Sequence, residues 1–92
     1  MRSREVAYVT KKELLLAEQA LMAVYDVRLV RAAAMLVYIT NGWVSGYDQD
    51  ERTDSYLIDD AGAEWVRRFA GPHGTVMVKV YEAQHGDGFK KF

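Results

Sequence analysis

Residues Glu5 to Val9 alternate weakly between polar and apolar positions and are rich in β-formers, which predicts a first strand ending at Thr10. Thr10-Lys11-Lys12-Glu13 then has the S/T-x-x-E spacing of a capping box, directly ahead of Leu14-Leu15-Leu16, so a helix is expected to start here. Its apolar positions, Leu14, Ala17, Leu21, Val24 and Tyr25 with others beside them, leave a narrow polar strip of Lys11, Glu18, Gln19 and Asp26. Such a helix should be buried over most of its circumference. No Gly or Pro interrupts the chain from Lys11 to Thr40. A single helix over that run would be about 45 Å long at 1.5 Å per residue, whereas a compact chain of this size has a radius of gyration near ~12 Å. A break is therefore expected at Tyr25-Asp26, with Asp26 capping a second helix over Val27 to Ile39.

That second stretch is apolar apart from Arg28 and Arg31 and reads as the central core helix, stopped by Asn41-Gly42. Trp43 to Tyr47 and Thr53 to Ile58 are short, aromatic and β-branched, and flank the polar run Asp48-Gln49-Asp50-Glu51-Arg52, which predicts a hairpin with a long tip. Asp59 or Asp60 should cap a third helix carrying Ala63, Trp65, Val66, Phe69 and Ala70 and closed by Gly71-Pro72. Val76, Val78 and Val80 alternate with Met77, Lys79 and Tyr81, a period-2 pattern that predicts a last strand, and the tail from Gly86 to Phe92 is expected to be loose. The expected architecture is α+β: a small antiparallel sheet in the order β-α-α-β-β-α-β, packed against two or three helices.

Ninety-two residues, half of them hydrophobic, suit one domain over 1–92 with a core of its own. Twelve basic and thirteen acidic residues leave a net charge of -1, which hides an uneven distribution. Residues 48–64 hold Asp48, Asp50, Glu51, Asp54, Asp59, Asp60 and Glu64 against Arg52 alone. There is no cysteine, hence neither a disulfide framework nor a cysteine-based zinc site. The charged N-terminus is unlike a signal peptide, and no apolar run approaches the ~20 residues of a membrane span. A cytoplasmic protein with no membrane association is expected.

Few residues invite chemistry. His73 and His85 fall in expected loops without a metal-ligand spacing, and Asp59-Asp60 would diverge at a helix start. No phosphate loop or nucleophile elbow occurs. A non-enzymatic protein that folds without metal or cofactor is the expectation.

Ser55-Tyr56-Leu57-Ile58-Asp59-Asp60-Ala61-Gly62-Ala63-Glu64-Trp65, and the helix it leads into as far as about residue 69, resembles the second wing strand and following helix of winged-helix DNA-binding domains. The resemblance implies duplex binding by a recognition helix and wing. Lys11, Lys12, Arg28, Arg31, Arg67 and Arg68 would then be the phosphate-facing residues, provided the helices bring them together. The acidic tip points elsewhere, because phosphates repel it while a basic protein surface attracts it. The favoured expectation is a small binding or regulatory protein, comparable with the short inhibitors of phage and mobile elements, that docks a basic protein partner through Tyr47, Asp48, Asp50, Glu51, Asp54 and Tyr56. DNA binding is the alternative. Helices apolar over so much of their surface further suggest a homodimer.

Overall fold

The computed structural model describes residues 5–44, 49–50 and 54–92. Strand β1 (Val6–Thr10) runs straight into helix α1 (Lys11–Tyr25), followed by α2 (Leu29–Ile39), the short β2 (Gln49–Asp50), β3 (Ser55–Asp59), α3 (Asp60–Ala70), α4 (Gly74–His85) and a 3-10 turn over Gly88–Lys91. The sheet is antiparallel with β3 in the middle, in the order β1-β3-β2. Val9 faces Tyr56 across one pair of strands and Gln49 faces Tyr56 across the other. The α+β class and the small antiparallel sheet agree with expectation.

The strand-to-helix junctions follow from local chemistry. Thr10 accepts the Glu13 N–H at 3.0 Å while the Glu13 carboxylate accepts the Thr10 N–H at 2.9 Å, so the capping box is fully formed. Asp59 accepts the N–H groups of Ala61 and Gly62 at the start of α3. Asn41 and Gly42 take positive φ after α2, and Gly71 ends α3. α3 lays Ala63, Trp65, Val66 and Phe69 onto α1, whose buried side is Leu14, Ala17, Ala20 and Leu21. Among the described residues this helix pair, rather than α2, is the centre of the molecule and makes the most extensive contact between two elements.

Several expectations are corrected. Asp26 does not cap α2; it closes α1 in the left-handed conformation (φ 53°, ψ 49°), and Arg28 precedes α2 without a side-chain cap. An aspartate tolerates either role, and only the direction of the following chain decides between them. α1 leaves Leu15 and Leu16 exposed, so less of its circumference is covered than its composition suggests. α2 buries only Ala32, Met35, Leu36 and Ile39 and lies at the periphery. The first hairpin strand is β2 at Gln49–Asp50; Trp43 and Val44 lie outside it, half-buried, and the remainder of the expected strand, 45–47, falls outside the described residues.

The last predicted strand is helix α4. Its buried positions Gly74, Val78 and Tyr81 recur at helical spacing, while Val76 points to solvent. Three alternating valines favour a strand only weakly. The uninterrupted run from Gly74 to His85 docks against α1 and α3 because Gly74 sits under the Phe69 carbonyl, where no Cβ fits. The tail is likewise not loose: Phe89 is 1% exposed and packs edge-on against Tyr25 and Tyr81. Lys90 pairs with Glu82 at 3.1 Å, and Arg31 donates to the Lys90 carbonyl at 3.0 Å.

Candidate functional site

The acidic hairpin is anchored at its base. Asp54 takes a left-handed conformation (φ 53°) and its carbonyl accepts the Lys11 N–H at 3.0 Å, which ties the end of the tip to the start of α1. Asp50 belongs to β2, opposite Ser55. Tyr56, one of the expected docking residues, is half-buried against the core on the central strand. Tyr47, Asp48 and Glu51 lie outside the described residues. Beyond the hairpin the acidic block continues along α3: Asp59 serves as the cap, Asp60 is exposed in the first turn, and Glu64 pairs with Arg68.

The six basic residues that the winged-helix resemblance singles out do not converge. Lys11 and Lys12 begin α1, whereas Arg28 and Arg31 lie beyond its other end. A helix of that length separates the two groups by roughly 20 Å. Arg67 is near the first group but donates to the Tyr8 carbonyl and pairs with Glu13 at 3.8 Å. Arg68 lies over the Trp65 ring at 4.8 Å.

His73 precedes α4, and His85, expected in a loop, is the last residue of that helix. Its ring stacks on Tyr81 at 4.6 Å and meets Trp65 edge-on at 5.6 Å. Among the described residues no three His, Cys, Asp or Glu side chains gather as metal ligands do.

Two features escape a reading of the sequence. One is the outer face of α2, where Val30 is 79% and Tyr38 47% exposed and Ala33, Ala34 and Val37 are half-covered between them. A groove of about 700 Å³ runs beside it, walled by Ala34, Val37 and Tyr38 of α2, Tyr81 and His85 of α4, and Phe92. The periodicity of α2 is too uniformly apolar to reveal which side faces out.

The other is the clamp around Tyr25. Its hydroxyl is enclosed, with the Glu82 carboxylate as its neighbour. Burial first, and the adjacent Glu82 carboxylate second, push its pKa up to about 12. The Lys79 and Lys90 ammonium groups lie over the same ring at 5.2 and 5.4 Å. The hydrogen bond from Lys90, with the charges of Lys79 and Lys90, holds Glu82 below the usual carboxylate range despite partial desolvation. Tyr25 and Glu82 thus fix the tail to α1 and α4.

The described residues form a small α+β protein whose α2 carries an exposed apolar face. No family model matches the chain, and neither curated proteins nor solved structures give a match. No helix among the described residues is long and apolar enough to cross a membrane.

Proposed function

We propose that this chain is a non-enzymatic, cytoplasmic binding protein that recognises a protein with a basic surface through its acidic hairpin, in the manner of a small regulator or inhibitor, and that it acts as a homodimer. The observation that carries this reading is the character of α2. Its outer side presents Val30, Ala33, Ala34, Val37 and Tyr38. A helix that reads duplex DNA from the major groove needs hydrogen-bonding groups for base edges, and this face has one hydroxyl among five side chains. With the basic groups divided between the two ends of α1, the remaining concentrated charge is the acidic run from Asp48 to Glu64. Clustered exposed charge of one sign raises encounter rates and selects partners of the opposite sign. The Asp54–Lys11 backbone bond supports the reading further, since a recognition loop gains from a fixed base.

The test is the triple reversal Asp48→Lys, Asp50→Lys, Glu51→Lys, compared with wild type as bait in affinity capture and in anisotropy titrations with a labelled DNA duplex. The expected result is a captured basic partner that the variant no longer retains, no duplex binding by wild type, and unchanged thermal melts. Capture by the variant equal to wild type would remove the hairpin from recognition. Duplex binding by wild type that strengthens in the variant would establish the DNA reading instead.

A further inference from the structure

The apolar face of α2 is not randomly bordered. On an α-helix Val30, Ala34 and Val37 fall on one line, with Ala33 and Tyr38 beside it, and the buried side chains Ala32, Met35, Leu36 and Ile39 occupy the opposite side. At the N-terminal end of this stripe stand the exposed Arg28 and Arg31, with Lys91 and Phe92 beside Val30 and Ala34. At its C-terminal end Asn41, Gly42 and Ala61 continue the groove, and the exposed Asp60 immediately precedes Ala61. The stripe therefore has a positive end and a negative end. The dipole of α2 is also uncompensated, because there is no acidic residue in its first turn and no basic residue in its last.

From this arrangement we infer that α2 is the interface of a two-fold homodimer in which the two α2 helices pack antiparallel, with Arg28 of one copy facing Asp60 of the other. A two-fold axis perpendicular to α2 near Ala33 and Ala34 lays the stripe on itself. Val30 then meets Val37, Ala33 meets Ala34, and the positive end of each copy meets the negative end of the other. An interface that is complementary to itself under rotation is what a closed dimer requires. The paired small alanines permit the close end of the 8–10 Å range of helix separations. Antiparallel packing also sets each helix N-terminus against its mate's C-terminus, which offsets both dipoles. An anionic membrane would accept the arginine end but repel Asp60 and the hairpin, so a second copy is the better occupant. This inference rests on the self-association in the proposed function and is independent of the hairpin.

The test is sedimentation equilibrium over roughly a hundredfold range of protein concentration on wild type, Val30→Glu, Arg28→Glu and Asp60→Lys, and on an equimolar mixture of the last two. Wild type is expected to show dimer mass at the upper concentrations. Val30→Glu, at a solvent-facing position where folding is undisturbed, should weaken association more than about tenfold. Each charge variant alone places like charges together twice and should remain monomeric. Their mixture restores two opposite pairs, the introduced glutamate of one chain against the introduced lysine of the other and the retained Arg28 against the retained Asp60, and should recover the dimer. Wild type monomeric throughout overturns self-association itself. A wild-type dimer undiminished by Val30→Glu overturns the surface, and a mixture that stays monomeric overturns the antiparallel charge pairing. Thermal melts of each variant at low concentration establish that the fold is intact.

Discussion

At the scale of single residues, Tyr25 shows how a side chain that reads as ordinary helix core acquires a distinct environment. In sequence it is one more apolar position on α1; in the fold Phe89, Glu82, Lys79 and Lys90 surround it. Its pKa is raised from 10.0 to about 12, so the folded state holds the phenolic proton more tightly than the unfolded chain does. The stability this represents is complete below the unfolded pKa and is lost as pH rises from 10 through the folded value. Tyr25→Phe should therefore lose less stability than wild type across that window in urea titrations. Parallel pH profiles for the two proteins would refute the assignment. Asp26 teaches a related lesson: its side chain suits a helix start or a left-handed stop, and the turn into α2 selected the stop.

At the scale of elements, the helix starts were legible wherever a side chain closes its own local hydrogen bonds. Thr10→Ala removes the hydroxyl half of the α1 capping box and should cost about 1 kcal/mol in chemical denaturation. A loss indistinguishable from zero would mean that Glu13 alone secures the start of α1. The end of the chain was not legible in this way. Val76 to Tyr81 alternates as a strand would, yet the residues that bury are Gly74, Val78 and Tyr81, and the partners that select them come from α1 and α3. Gly74→Ala would drive a Cβ into the Phe69 carbonyl and bring it within 3.2 Å of the Ala20 Cβ. It should destabilise by more than about 2 kcal/mol, well beyond the effect of an ordinary helix substitution. A neutral outcome in thermal melts would show that α4 can slide away from α3.

At the scale of the whole molecule, the ends of the sheet and the helices close on one core that runs from Val9 and Ile58 through Leu21 and Phe69 to Val78 and Phe89. That core is built from aliphatic and aromatic side chains. Thermal melts with and without a chelator should coincide, and a fall of many degrees on chelation would reopen the question of His73 and His85. The sequence by itself determined the elements whose signals are local: the capped starts of α1 and α3, the stops at Asn41-Gly42 and Gly71, the central strand, and the concentration of acid between Asp48 and Glu64. These depend on hydrogen bonds and backbone angles within a few residues, or on composition alone. Only the tertiary structure decided that α4 is a helix, that the tail is pinned by Phe89, that the basic residues stand apart, and that α2 turns Val30 outward. Each of those outcomes is set by which surface remains uncovered after distant segments have packed, and a uniformly apolar helix or an alternating run of valines carries no local signal of its future neighbours.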